Sequence, residues 1–240
     1  MNSKIGAWLR LFRVVNLPTV PGDILAGAAV VSFGTPAPLA FKGILAAAAT
    51  AVLLYMYGLA DNDIVGAATD NDRPIPEGLI SLGAARAARS ICLYGAIVLA
   101  YLAGLPAFWW PFALATVICI LIYNRTKSPL LMGLCRGLNL LCGYAASYNE
   151  LPANIRVAVV AALVWTAYIA AVTKYSEGEE ADPAHKRRVG LLIGALVWLQ
   201  LAVVAAFSFL FRDIALLAVQ LAMIALLFIL KRLMPKVSAS

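Results

Sequence analysis

Asp61-Asn62-Asp63-Ile64-Val65-Gly66-Ala67-Ala68-Thr69-Asp70-Asn71-Asp72-Arg73-Pro74-Ile75-Pro76-Glu77-Gly78 places five of the chain's twelve acidic residues between two long apolar runs, 40–60 and 83–104. Each run has the length, about 20 residues, that crosses a bilayer as a helix. An acidic stretch at that position marks a water boundary where one span ends and the next begins. The composition agrees: 63% of the 240 residues are hydrophobic and 13% are charged. Soluble domains have roughly 45–50% and about 25%. Hydrocarbon offers no partner to an open backbone, and helices satisfy their own. The expected fold is therefore all-α, a polytopic membrane helical bundle.

Outward from that stretch there are about eight transmembrane helix candidates: 16–34, 40–60, 83–104, 107–123, 130–148, 154–174, 189–211 and 213–231. The links are short and no soluble domain is inserted, so a single transmembrane domain over 1–240 is expected. Runs such as Leu25-Ala26-Gly27-Ala28-Ala29 let helices approach closely, which favours a compact bundle. With the N-terminus in the cytoplasm, the cytoplasmic side holds fifteen Lys and Arg. The other side holds three, Lys42, Arg156 and Arg212, and Arg136 lies within a span. This positive-inside asymmetry puts both termini in the cytoplasm, of a bacterial inner membrane, and accounts for the +7 net charge without nucleic acid. The first span is interrupted by Asn16, Pro18, Pro21 and Asp23, so no secretory signal is expected. Cys92, Cys119, Cys135 and Cys142 lie inside apolar runs and read as packing residues. The single histidine, His185, excludes a His-rich metal site.

A second acidic cluster, Glu177, Glu179, Glu180 and Asp182, follows the sixth span on the same side. Mg²⁺ takes oxygen ligands and is held by one or two carboxylates plus substrate phosphates. Asn62, Asp63 and Asp70 offer an amide and two carboxylates; the plainer alternative is solvated interfacial acids. Arg73, Arg13, Lys127 and Lys174 could bind phosphate oxygens, Arg by a fork and Lys as a point charge. Arg136 and Asn139 sit one turn apart within the fifth span. An arginine at membrane depth faces a cavity or a partner, unless it snorkels to the nearby interface. Asn16 and the broken first span fit a cavity wall. Tyr55, Tyr57, Tyr123, Tyr168 and Tyr175 fit an aromatic belt, or could stabilise a cation by their ring faces.

Asn62-Asp63…Asp70…Arg73-Pro74-Ile75-Pro76-Glu77-Gly78 resembles the signature of the UbiA superfamily of intramembrane prenyltransferases, Asn-Asp-x-x-Asp-x-x-x-Asp and then Arg-Pro-x-Pro-x-Gly. The stretches Leu11-Phe12-Arg13-Val14-Val15-Asn16-Leu17-Pro18-Thr19 and Tyr123-Asn124-Arg125-Thr126-Lys127 agree with it. The run Met132-Gly133-Leu134-Cys135-Arg136-Gly137-Leu138-Asn139 is similar to the EboC-like subgroup. The resemblance implies Mg²⁺-dependent transfer of a prenyl group from a prenyl diphosphate to an aromatic or other lipophilic acceptor. It implies Asn62, Asp63 and Asp70 as metal ligands and Arg73 and Lys127 on the diphosphate. Asp63, Asp70 and Lys127 would form the catalytic set. Asn16 would line the cavity beside Tyr123, with Arg13, Arg136, Asn139 and Lys174 as further substrate contacts. Glu177 and Glu180 would stand where the family has the aspartates of its second motif. Two further departures are Gly66 in place of the middle aspartate, and eight helices where the family often has nine. The alternative is a non-catalytic protein of the same fold that carries a lipophilic metabolite. A transporter unrelated to the family would need polar residues at mid-membrane in several helices.

Overall fold

The computed structural model describes residues 4–31, 39–70, 73–148, 155–177, 183–211 and 214–233. The first passage is bent: α1 (Lys4–Leu11), a 3₁₀ segment Val14–Thr19, and α2 (Val20–Val31). Pro18 and Pro21 supply no backbone donor, and Arg13 turns left-handed at φ 42° and ψ 50°, so no continuous helix forms there. Then come α3 (Phe41–Val65), α4 (Leu82–Leu102), α5 (Trp110–Thr126), α6 (Pro129–Ala146), α7 (Ile155–Ser176), α8 (Pro183–Phe211) and α9 (Ala215–Leu233).

Each of the eight expected spans corresponds to a helix. Among the described residues seven passages are long and apolar enough to cross a membrane. The remaining helix, α6, is made more polar by Arg136 and Asn139. The chain is an integral membrane protein.

The bundle is built around α2, whose twelve residues are all buried. It packs on α3, α6, α7, α8 and α9. Glycines set how closely α6 can lie. A Cβ on Gly27 would overlap the Leu140 carbonyl oxygen, and one on Gly143 would overlap that of Ile24, so each helix lies against the other's backbone. Gly133 and Gly137, four apart on α6, meet the Thr166 and Ala162 carbonyls of α7 in the same way. In hydrocarbon, where apolar contact with lipid costs nothing, such close approach is a main source of helix association. The outer helices turn large apolar side chains outward: Ile91 is 70% exposed and Leu102 74%, as a lipid-facing surface requires. All four cysteines are free.

The chain alternates between two ends. At one, Ala40 N–H donates to the Ser147 carbonyl at 2.8 Å, tying the start of α3 to the end of α6. At the other lie the ends of α3 and α5 with the acidic stretch. There α1 lies across the bundle, packing Ala7 and Leu11 against Ala60, Ile80 and Ala85.

Replacing Gly27 or Gly143 by leucine should prevent folding or cost well over 1 kcal/mol, as overpacking does. Gly190→Ala, where no atom lies within 4 Å of the added carbon, should be neutral or slightly stabilising. Thermal unfolding in detergent, followed by size-exclusion chromatography, separates the two outcomes.

Candidate functional site

The acidic end is assembled from α3, α5, and the turns that follow α1 and α3. Helix α3 carries Asp61, Asn62 and Asp63 in its last turn. Asp61 is 1% exposed and accepts from Arg89 Nη1 at 2.9 Å and from Asn124 Nδ2 at 2.9 Å. Asn124 Nδ2 also donates to the Gly58 carbonyl at 3.1 Å. These bonds use Asp61 to join α3, α4 and α5, so it belongs to the scaffold.

Asp63 and Asp70 converge on one guanidinium. Arg73 Nη1 lies 2.8 Å from Asp63 Oδ1, and its Nε lies 3.0 Å from Asp70 Oδ2. Arg73 is placed by a compact turn: Glu77 N–H donates to the Arg73 carbonyl, and Leu79 and Ile80 N–H both donate to that of Pro74, all at 3.0–3.1 Å. Gly78 closes it at φ +71°, a conformation that costs glycine little. The Arg-Pro-x-Pro-x-Gly spacing therefore encodes a turn that aims one arginine at two carboxylates. Gly66 contributes as well, since a Cβ there would crowd Asp70 Oδ2. The Asp70 carboxylate lies in the space that a side chain at 66 would enter.

Lys127 Nζ donates to Asn62 Oδ1 and lies 5.8 Å from the centre of the Tyr123 ring. Burial pulls its ammonium below the ordinary lysine value of 10.5, and the neighbouring Arg73 charge adds to the effect. Arg13, on the turn after α1, lies within electrostatic range of Asp63, Tyr123 and Lys127. Among the described residues, Arg13 (φ 42°) and Lys127 (φ 54°) are the only non-glycines with positive φ. Backbone strain of this kind persists only where the surroundings impose it, and it clusters at functional sites. Both strained residues are cations at the acidic end, Arg13 acting on Asp63 and Lys127 on Asp70 and Asp61.

The acidic end is closed on one flank by α1. Arg10 forms a two-pronged ion pair with Glu77, both contacts at 2.7 Å, and this hydrogen bonding holds Glu77 below its ordinary carboxylate value.

Other expected residues make different contacts. Arg136 and Asn139 do not join this end; they are spent deep in the bundle on Asp23, which is fully buried. Arg136 Nε lies 2.8 Å from Asp23 Oδ2, with the Asn139 amide beside the same carboxylate. Trp165 Nε1 and Gln200 Nε2 donate to Asp23 Oδ1 at 2.9 and 2.8 Å. Asp23, Gln200 and Trp165 were not among the expected site residues; the signal for them was a polar side chain inside an apolar span, which demands a partner. Asn16 is half-buried in the 3₁₀ segment. Lys174 pairs with Glu177 at 2.6 Å on an exposed surface. Glu180 lies outside the described residues. Tyr168 donates to the Leu192 carbonyl at 2.7 Å, and Tyr175 stacks on His185 at 4.4 Å. A wholly apolar cleft of about 480 Å³ lies between α2, α7 and α8, lined by residues such as Val30, Ala161 and Val203.

As a donor set, Asn62, Asp63 and Asp70 fit Mg²⁺: all are hard oxygens, and two are carboxylates. Arg73 takes one oxygen of each carboxylate; the second of Asp63 is left for another cation, and that of Asp70 accepts from Thr69 Oγ1 at 3.3 Å. Among the described residues no three His, Cys, Asp or Glu side chains form a closed metal cage. A metal here would therefore complete its shell with water or phosphate.

This fold is shared with solved membrane enzymes and their relatives. A digeranylgeranylglyceryl phosphate synthase matches with a TM-score of 0.57 and 18% identity, over 98% of this chain and 92% of that one. A UbiA homologue from Archaeoglobus fulgidus bound to GPP and Mg²⁺ matches with a TM-score of 0.56 and 17% identity, over 98% and 88%. Its Cd²⁺-bound form matches at 0.53 and 17%, over 98% and 89%. No protein-family model matches the chain, and no curated protein matches it by sequence. At these identities the likeness is one of fold: a membrane helical bundle of the UbiA kind.

Two outcomes follow from this geometry. At position 127, glycine should be more stable than alanine by about 1 kcal/mol, because only alanine keeps the cost of the left-handed backbone; unfolding of the two variants compares them directly. Glu77→Gln should loosen α1 at neutral pH by under about 1 kcal/mol, as partly exposed pairs do. A lowered folded pKa means the wild-type advantage holds above the ordinary glutamate range and is lost as acid protonates Glu77. Proteolysis of the α1 segment across a pH series should show the two proteins converging in acid.

Proposed function

We propose that this protein is a Mg²⁺-dependent prenyltransferase, moving a prenyl group from a prenyl diphosphate to a lipophilic or aromatic acceptor within the membrane. The observation that carries the proposal is the gathering, at one end of a UbiA-type bundle, of three hard-oxygen side chains with three cations. Asn62, Asp63 and Asp70 would hold the metal, and Arg73, Lys127 and Arg13 the diphosphate. The metal, when bound, would neutralise charge building on the leaving diphosphate.

The chain's own residues supply the rest. Arg73 holds the two carboxylates through Nη1 and Nε and would offer Nη2 to a phosphate oxygen. Lys127 lies over Tyr123 and adds a point charge, strengthened by its partial removal from water. Such prepositioned cations stabilise a leaving group without reorganising during the reaction. Tyr123 would offer its ring to an allylic cation. The fold of homologues bound to GPP and Mg²⁺ supports this reading. The whole chain would act as one such domain in a bacterial inner membrane, both termini cytoplasmic. The Met132–Asn139 run points toward the EboC-like subgroup.

A second reading is favoured by Gly66 and by Arg73. The middle acid of the family signature is missing, and the existing carboxylates are bound to a guanidinium. A protein of this fold that carries a lipophilic metabolite without chemistry would tolerate both features.

Titration calorimetry with a non-hydrolysable prenyl diphosphate decides between them. Binding should require Mg²⁺ and fall by at least about tenfold in Asp63→Ala, the loss expected when a charged contact is removed. Because the Lys127 pKa is lowered, affinity should decline on raising the pH before an ordinary lysine would lose its proton. Prenyl transfer retained in Asp63→Ala would sink the assignment of Asp63 to the metal. An intact protein that binds no diphosphate with Mg²⁺ present would leave the carrier reading.

A further inference from the structure

We infer that Asp23, Arg136 and Gln200 are positioning residues: a polar knot at mid-bundle that fixes the broken first passage and so holds Arg13 at the acidic end. The inference rests on the reading of that end as a diphosphate site. It begins from a cost. Four helices each bring a polar side chain to one buried point: Asp23 on α2, Arg136 on α6, Trp165 on α7 and Gln200 on α8. Removing charges from water is expensive, and a buried ion pair is often no more stabilising than apolar residues of like volume. Helices α2, α6 and α7 already pack through glycine contacts, so their cohesion does not rest on such a pair alone.

What the knot touches beyond itself is the Thr19 carbonyl. Arg136 Nη2 and Gln200 Nε2 both donate to it, each at 3.2 Å. Thr19 is the last residue of the 3₁₀ segment. From there a short relay of bonds runs back toward the N-terminus. Thr19 Oγ1 donates to the Asn16 carbonyl at 2.8 Å. Asn16 N–H donates to the Arg13 carbonyl at 2.8 Å, and Arg13 N–H to the Arg10 carbonyl at 3.0 Å. Arg13, in its left-handed conformation, is the pivot of that relay. A strained residue relaxes unless its flanks are anchored. The Arg10–Glu77 ion pair anchors one flank, and the knot anchors the other. Asp23 orients both donors, taking Arg136 on one oxygen and Gln200 on the other.

The test measures binding of inorganic pyrophosphate with Mg²⁺ to the full chain in detergent. Wild type is measured first. If it binds no pyrophosphate, the site reading itself fails and the positioning role falls with it. If it binds, three proteins are compared: Arg13→Gln, the paired replacement Asp23→Leu with Arg136→Met, and all three changes together. Replacing both partners leaves no lone buried charge, so the pair variant is expected to fold, as its thermal midpoint will show. It should bind pyrophosphate roughly tenfold more weakly, the scale of loss that follows small misplacement of a binding group. The triple variant should bind no worse than the weaker of the other two, because the knot acts through Arg13. A knot that serves only to hold helices together would shift the thermal midpoint and leave binding alone. Wild-type affinity in the folded pair variant, or losses that multiply in the triple, would overturn the inference. Should the pair variant fail to fold, Gln200→Leu removes one of the two donors to Thr19 and leaves the ion pair in place. It must then weaken binding several-fold in wild type and not in Arg13→Gln; equal loss in both would also overturn it.

Discussion

A carboxylate with no water around it must find every partner inside the protein, and Asp23 is that carboxylate. Its demands are met by Arg136, Trp165 and Gln200, from three other helices. Gly27 and Gly143 remove the side chains that would hold α2 and α6 apart, and Gly133 and Gly137 do the same between α6 and α7. The close crossing of α2, α6 and α7 and the satisfaction of Asp23 are thus two aspects of one constraint. In hydrocarbon, where no hydrophobic force draws helices together, close packing and interhelical hydrogen bonds are the main forces available.

The acidic end is built by a different rule. There, Arg73 bridges Asp63 and Asp70, Lys127 donates to Asn62, and Arg13 stands within electrostatic range of Asp63 and Lys127. Two of these cations sit on strained backbone. Both follow helix ends, where a left-handed residue closes the last turn, and a cation stands there in place of the glycine that would carry no strain. A site prepared for a multiply charged anion gains by it, since prepositioning removes the cost of ordering at the moment of binding.

Much of this was legible in the sequence, and the reasons are specific. Apolar runs of membrane length gave the helices, because no other element satisfies its backbone in lipid. The Asp61–Gly78 stretch gave the acidic end, because its Pro and Gly positions fix a turn. Arg136 was recognised as costly, but not its partner: Asp23 lies more than a hundred residues away, and spacing carries no information about contacts across a bundle. Gln200 was invisible for the same reason, being one polar residue in the long apolar run of α8. The distinction between Asp61, a scaffold residue, and its neighbours Asn62 and Asp63 depends on which face of α3 meets Arg89 and Asn124, and the sequence does not state that face.

The claim that the acidic end binds a divalent metal together with a diphosphate is tested most directly by placing Mn²⁺ there. Electron–nuclear double resonance on the purified protein with Mn²⁺ and a non-hydrolysable prenyl diphosphate reads whether phosphorus lies in the metal's shell. Wild type should show a phosphorus coupling that disappears in Asp63→Ala. A coupling that persists unchanged in Asp63→Ala, or a wild-type spectrum of Mn²⁺ and diphosphate free in solution, would contradict it.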